Sequence, residues 1–496
     1  MADFGLDLMQ IRLQWRQNET REGSYTFDDV DMLFTLAEKY NREVIIKFML
    51  EDAPQYIFEK YGGYRRNYDG TPILPSSHGA FYIGGWMPCF DNPMVVKHAR
   101  KFVAEVVNRY RGKKSLVLWH VWNEPRSRPV GDCFCEYSKK LYHDCMKKEY
   151  GAIDKFNRFW GTAEDDFDNL QTPGMPDGYW DFFLYRKWRS SVAIADHLSF
   201  VYDEIRCYDM SRPVMAHVGC SAVIQNDFND NSDDFMLSKR VDFYGTSYPV
   251  YSYNDTDSQY LGQMICDFLR CVDKNYFVHE LYSDWGNWNT EAPREALRYY
   301  VWNILAHGAK GVLYWQMRAE RLGCENNLSS FLNMDGTDKE ITKEVGYIGR
   351  VLFENREVFR NASCRKSEVV IVFDYDSSLL SQIEDHNDKL FSFGIKDKPI
   401  RYYYKALLGM YKLFWRLNID VDFIDSREIE KIEGYKVAYF PYATMLSPQV
   451  ETTLMKYQGV LILDEGFGLR SPNTWLNPNQ TSFNRLLNNT KWYCRV

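Results

Sequence analysis

Leu116-Val117-Leu118-Trp119-His120-Val121-Trp122-Asn123-Glu124-Pro125 is the stretch on which both the fold and the chemistry turn. Leu116 to Val121 is a short apolar run broken only by His120, the pattern of a strand buried on both faces in a parallel sheet. Glu124 follows at once, where burying a carboxylate is costly unless it is partnered or functional. Pro125, which lacks an amide donor, ends the strand.

Comparable runs recur on both sides of it: Leu8 to Trp15, Val44 to Met49, Pro213 to Val218, Val241 to Ser247, Tyr276 to Glu280 and Gly311 to Trp315. Amphipathic stretches such as Asp28 to Tyr40, Asn92 to Tyr110, Glu136 to Tyr150 and Ala292 to Ala306 lie between them. Strands alternating with helices predict an α/β protein with a parallel sheet, and seven units over about 350 residues predict a (β/α)8 TIM barrel. Closure needs eight strands. Gly5 reads as the C-terminal cap of a helix tail ahead of the first run, so the first strand is expected to precede Met1, with the chain truncated at its start. Leu116 to Val121 is then the fourth strand and Tyr276 to Glu280 the seventh.

After a polar stretch near Asn361 to Ser367 a second alternation begins. It runs through Val369 to Phe373, a helix over Tyr402 to Leu417, Val421 to Ile424, Val437 to Phe440, a helix over Pro448 to Tyr457, and Val460 to Leu463. These predict two domains, a barrel over 1–360 and a smaller open α/β domain over 366–496. No glycine-rich phosphate cradle follows the first strand of the second domain, which points away from nucleotides and towards docking or oligomerisation.

The 60 Lys and Arg against 68 Asp and Glu give a net charge of −8, so the chain lacks the broad basic surface that binding nucleic acid requires. No apolar run approaches the roughly 18–20 residues of a membrane span. Eleven cysteines in a long chain read as reduced thiols in a cytoplasmic setting. Aromatic residues make up 16%, and such rings serve either as packing or as platforms for sugars.

In such a barrel the working residues stand at the carboxyl ends of the strands. Two strands end in glutamate, Glu124 and Glu280, and the fourth and seventh strands face each other across the mouth. Two facing carboxyl groups about 5–5.5 Å apart are what retaining glycoside hydrolysis uses, one as general acid/base and one as nucleophile. Asn123 beside Glu124 suits a hydrogen bond to a sugar hydroxyl. His120, His217 and His279 read as hydrogen-bonded lining rather than as metal ligands.

The residues that carry these features resemble glycoside hydrolase family 42, the β-galactosidases. Matching stretches are Trp15 with Glu19-Thr20-Arg21-Glu22-Gly23, Trp119 to Glu124, Tyr150-Gly151 leading to Asn157-Arg158-Phe159-Trp160-Gly161-Thr162, and Ser247-Tyr248-Pro249. They continue with Glu280 followed by Trp288, and with Gly311 to Arg318 running on to Gly323-Cys324-Glu325. The likeness covers Met1 to Phe353. It implies Glu124 as acid/base and Glu280 as nucleophile, in agreement with the strand count, and Asn123, Tyr248, Trp288 and Glu325 as sugar contacts. It implies no required cofactor and a homotrimer, and the second domain is similar to the family's trimerisation domain, flavodoxin-like or amidotransferase-like and cut short at Val496.

The resemblance also implies a structural zinc site. Cys89, Cys133 and Cys135 match three of its four cysteines, and Ser138 stands where the fourth is expected. Two sugar-binding positions depart from the family: Gly84-Gly85-Trp86-Met87-Pro88 replaces an arginine-bearing loop, although Gly63-Tyr64-Arg65-Arg66 lies earlier in that loop, and Leu328 replaces a histidine. The expected activity is that of a retaining exo-β-glycosidase, β-galactosidase-like. The alternatives are the same chemistry on an α-L-arabinopyranoside, β-fucoside or β-glucoside, or a non-catalytic carbohydrate-binding homologue.

Overall fold

The seven apolar runs of the first part pair as parallel strands, each neighbour in sequence being its neighbour in space: β1 (Leu8–Gln14), β2 (Glu43–Met49), β3 (Leu116–Asn123), β4 (Val214–Val218), β5 (Phe243–Tyr248), β6 (Phe277–Tyr282) and β7 (Gly311–Trp315). This computed structural model describes residues 1–74, 87–125, 133–173, 179–219, 221–225, 231–248, 256–283, 294–319, 329–391, 401–464, 466–473 and 493–495. The chain divides into two compact units. One comprises Met1–Ser138, Ser191–Ser221 and Met236–Cys364; the other comprises Lys139–Ser190, Ala222–Phe235 and Arg365–Val496.

The first unit is the TIM-type barrel, with seven strands among the described residues where full closure takes eight. β1 and β7 are its edges, and the Arg12 guanidinium of β1 lies over the Trp315 ring of β7, 4.7 Å from the centroid. Gly5 has φ +69° after the short helical turn Ala2–Phe4, the left-handed conformation of a cap. A side chain there would collide with the backbone of Gly349 and Arg350, about 2.8 Å away. Glycine therefore serves two needs at this point, the turn and the close approach to the helix Glu340–Glu354.

Side chains two residues apart on a strand share one face, and in a barrel that alternation builds layers. Ile45, Leu118 and Met215 form an apolar layer with Leu8, Phe243, Phe277 and Leu313 packed against them. Two residues further along the same strands stand Gln10, Lys47, His120, His217 and His279. Lys47 and the three histidines are at most 1% exposed, so the next layer of the interior is polar.

Two strands break the alternation. On β3, His120 pairs with Met215 but Asn123 pairs with His217, three residues against two. On β6, Val278 pairs with Val312 while Leu281 pairs with Tyr314, again three against two. Each is a bulge that re-aims the residues at it; Glu124 follows the first and Glu280 lies within the second.

The second unit carries a parallel sheet of β8 (Val369–Phe373), β9 (Val421–Asp425), β10 (Val437–Phe440), β11 (Val460–Leu463) and β12 (Tyr493–Arg495), in the order β12-β11-β10-β8-β9. Val370, Val372, Ile424, Ala438, Phe440 and Leu461 are buried in its core. The four strands and two helices read from the sequence are present. Among the elements not foreseen are β12, the 3-10 segment Ser426–Gly434 and the helix Tyr375–Phe391. The helix begins where Asp374 accepts the amide of Ser377 at 2.7 Å, a capping bond that its serine-rich opening conceals. Among the described residues, no helix is long and apolar enough to cross a membrane.

Candidate active site

Glu124 follows the last residue of β3 with φ +48°, a conformation that non-glycine residues adopt seldom and mostly where function fixes it. Its carboxylate lies over Gly219, just past β4. A Cβ at that position would stand 2.6 Å from either carboxylate oxygen, so Glu124 takes space that only glycine leaves open.

Glu280 lies on β6 directly after His279. Strict alternation would send one of the two outward, and the bulge allows both to face the interior. The His279 ring packs against His120 at 4.2 Å and His217 at 4.7 Å. Glu280, 6% exposed, receives the Lys47 ammonium on Oε1 at 3.0 Å, and Nε2 of His217 approaches the same oxygen at 3.4 Å. Its other oxygen, Oε2, accepts from Tyr282 OH at 3.3 Å, with Ser247 Oγ 3.4 Å away.

The two glutamates meet. One carboxylate oxygen of each, together with a ring nitrogen of His217, lie within 4.8 Å of one another. Ser247 Oγ sits between them, donating to Glu124 Oε1 at 2.8 Å. Burial by itself would raise the Glu280 carboxyl. The Lys47 charge and the His217 contact outweigh burial and hold it well below the usual carboxylate range. Below the pair, His217 Nδ1 and His120 Nε2 are 2.9 Å apart, His120 Nδ1 is 3.1 Å from Gln10 Oε1, and His279 Nε2 bonds the same Gln10 oxygen. Burial lowers all three histidines, and through Gln10 and one another they form a hydrogen-bonded lining.

Asn123 ends β3, half-buried beside Glu124. Tyr248 behaves differently from the sugar contact implied by resemblance. It is 2% exposed, its ring is 5.8 Å from Tyr300, and its hydroxyl fills the space beside Gly262 of the helix Thr256–Val272. Its neighbour Ser247 is the β5 residue at the carboxylates, as alternation along a strand requires. Trp288, Glu325, Leu328 and Gly84 to Trp86 lie outside the described residues. The sequence reading missed Lys47, Ser247 and Gly219. Lys47 carried a signal: a charge within the apolar run Val44 to Met49 is costly unless it serves something.

Cys89, Cys133 and Cys135 converge, with their sulfur atoms within 4.8 Å of one another. Cys89 and Cys135 are 3.6 Å apart, close to the roughly 3.8 Å edge of a tetrahedron with 2.3 Å zinc–sulfur arms. Ser138 Oγ is 3.3 Å from Cys135 and 3.8 Å from Cys89, and it donates to Asp91 Oδ2 at 2.5 Å. Asp91 in turn takes His197 Nε2 at 2.7 Å. The three thiols suit a thiophilic divalent metal, with Ser138 Oγ the oxygen nearest to them.

Comparison with known proteins bears on the whole barrel. The model of glycoside hydrolase family 42, described as beta-galactosidase, matches residues 1–354. A beta-galactosidase of Heyndrickxia coagulans is 23% identical over 457 residues, covering 89% of this chain and 64% of its own length. One of Geobacillus kaustophilus is 22% identical over 502 residues, covering 95% and 68%. The chain thus spans about two thirds of these relatives. Among solved structures, the beta-galactosidase of Bacillus circulans sp. alkalophilus superposes with a TM-score of 0.81 at 19% identity, over 96% of this chain and 69% of that one. An exo-carrageenase of Bacteroides ovatus gives 0.64 at 14%, over 99% and 66%. At such identities these structures show a shared fold.

Proposed function

The chain belongs to glycoside hydrolase family 42, the beta-galactosidase family, and on that premise we propose that it is a retaining exo-β-glycosidase. Glu124 protonates the departing glycosidic oxygen while Glu280 attacks the anomeric carbon. Water then displaces Glu280, giving its proton to Glu124. The observation that carries this reading is the meeting of two carboxylates within 4.8 Å at the ends of β3 and β6. That separation fits double displacement, whereas inversion places a water between carboxyl groups roughly 6.5–9.5 Å apart. The depressed Glu280 suits the anion a nucleophile must be, and Asn123 suits a hydroxyl of the bound sugar.

The test is azide rescue with nitrophenyl β-galactoside. Glu280→Gly should lose at least about 10³-fold in kcat and regain turnover with azide as an α-glycosyl azide. Glu124→Ala should give the β-azide. The opposite assignment of anomers, or rescue through neither residue, overturns the roles.

Terminal β-galactose is the proposed sugar, since the curated relatives are named beta-galactosidases. A second reading keeps the chemistry and changes the sugar, because Leu328 and Gly84 to Pro88 replace polar groups at two positions where the family binds hydroxyls. A site that loses such a bond discriminates differently by large factors. A panel of nitrophenyl galactoside, fucoside, glucoside and α-L-arabinopyranoside separates the two.

Cys89, Cys133 and Cys135 are proposed to hold a structural zinc ion, which would tie the segment of residues 133–135 to the loop at Cys89. Metal content of the purified protein below one equivalent for every three chains would reject it. Cytoplasmic location and trimerisation through residues 366–496 are proposed from the family resemblance, and light scattering on the full chain tests the assembly.

A further inference from the structure

The Lys47–Glu280 pair stands apart from the acid/base and nucleophile assignment. A lysine with no exposed surface inside a barrel is expensive to keep charged, and its ammonium faces the carboxylate at 3.0 Å on one oxygen only. The groups around that carboxylate come from every neighbouring strand. Lys47 reaches in from β2, with Arg12 of β1 and Glu51 beyond β2 acting on it; Glu124 stands just beyond β3, His217 comes from β4 backed by His120 of β3, Ser247 from β5, and His279 and Tyr282 from β6 itself. β7 contributes the uncharged Trp315, beneath Arg12. Lys47 is the cation in contact. His217, held by His120 at its other nitrogen, approaches the same Oε1. Among the described residues, Oε2 faces the hydroxyls of Ser247 and Tyr282, and Ser247 is shared with Glu124.

We infer that Lys47 is a positioning residue that pins Oε1 of Glu280, with His217 behind it, so that Oε2 is the attacking oxygen and the carboxylate is the favoured leaving group in the second step. The inference rests on Glu280 being the nucleophile. In the first step an Oε2–anomeric carbon bond forms, the glycosidic C–O bond breaks, and the leaving oxygen takes the Glu124 proton. Glu280 becomes a neutral ester, and Lys47 is left as a buried cation without its counter-charge. In the second step a water oxygen attacks the anomeric carbon, its proton goes to Glu124, and Glu280 departs with the bonding pair to meet Lys47 again. A fixed cation that stabilises the carboxylate over the ester favours the second step at the expense of the first.

The experiment compares the full-length wild type with Lys47→Met, Lys47→Arg and His217→Asn. Removing the cation leaves only the His217 contact against burial, so the Glu280 carboxyl rises and the acid limb of kcat/KM should move up by at least one pH unit, tenfold in activity at the affected pH. In Lys47→Met the glycosyl-enzyme should accumulate, seen as a pre-steady-state burst of nitrophenolate with kcat and KM falling together. Lys47→Arg should restore most of the wild-type profile. The Glu280 carboxyl is also followed without turnover, by carbon-13 NMR titration against Glu280→Gln.

An unmoved acid limb and an unmoved carboxyl titration in Lys47→Met overturn the inference. If Lys47→Met does not fold, the same readouts in Lys47→Arg and His217→Asn decide, because loss of the His217 contact should shift the titration upward by a smaller amount. If the wild type hydrolyses none of the glycosides, the function reading fails, while the NMR titration still reports on Lys47.

Discussion

Gly219 shows how a single atom governs the chemistry. The Glu124 carboxylate occupies the place a Cβ at residue 219 would take, at the end of a side chain whose backbone is left-handed at φ +48°. Gly219→Ala is therefore expected to push the carboxylate out of line with Ser247 and Glu280 rather than to unfold the barrel, since the obstructing group is the mobile end of a side chain. Displacement of a catalytic group by about 1 Å costs on the order of 10²-fold. Initial rates of Gly219→Ala should fall by that order while its thermal midpoint stays within a few degrees of wild type. A variant that retains full activity would show that Glu124 does not act from this position. Glu280 is held by the opposite means: three strands converge on its oxygens through Lys47, His217 and Ser247, so its position is determined by contacts rather than by backbone conformation.

At the scale of elements, the interface between the amino-terminal turn and the helix Glu340–Glu354 depends on two glycines in contact, Gly5 and Gly349. A Cβ at Gly349 would overlap the carbonyl oxygen of Phe4, and backbone yields less readily than a side-chain tip. Gly349→Ala is expected to destabilise the barrel by about 1–3 kcal/mol, read by denaturant melts, with KM unchanged because the contact is remote from the glutamates. The strands themselves were legible from sequence. Runs such as Val44-Ile45-Ile46 and Leu116-Val117-Leu118 have no polar face, and such runs belong to parallel sheets. Glu124 and Glu280 were legible for the same reason, as carboxylates placed where apolar runs end. The bulges in β3 and β6 were not, because a bulge is a mismatch with a partner strand and nothing in Trp119 to Glu124 or Phe277 to Glu280 states which residue is extra. The same holds for β5: family likeness points to the stretch Ser247-Tyr248, and the pleat decides that Ser247 is the one at the carboxylates.

Over the whole molecule, the balance of buried titratable groups fixes how stability depends on pH. Below pH 6.5 the chief contributors are His120, His217 and His279, whose folded values burial depresses. The unfolded chain then binds protons that the folded one does not, so stability rises with pH up to about 6.5. Glu280 acts in the same sense as an acid with a depressed folded value, but its contribution is already complete above its ordinary range near 4.5. Glu51 and Asp52, just beyond β2, act in the other direction. Burial, reinforced by Asp52, pushes Glu51 up to about 8, and burial pushes Asp52 up to about 6. A carboxyl with a raised folded value stabilises below its unfolded pKa and loses that contribution as pH climbs through the folded one. Asp52 is spent by pH 6, within the span where the histidines prevail, which leaves Glu51 to govern the interval from 6.5 to 8. Thermal midpoints should therefore peak near pH 6.5 and decline towards pH 8 by on the order of 1–3 kcal/mol of stability. Glu51→Gln keeps the shape and removes the titration, so its midpoint should stay level over that interval. A wild-type decline that persists undiminished in Glu51→Gln would assign the alkaline limb to another group.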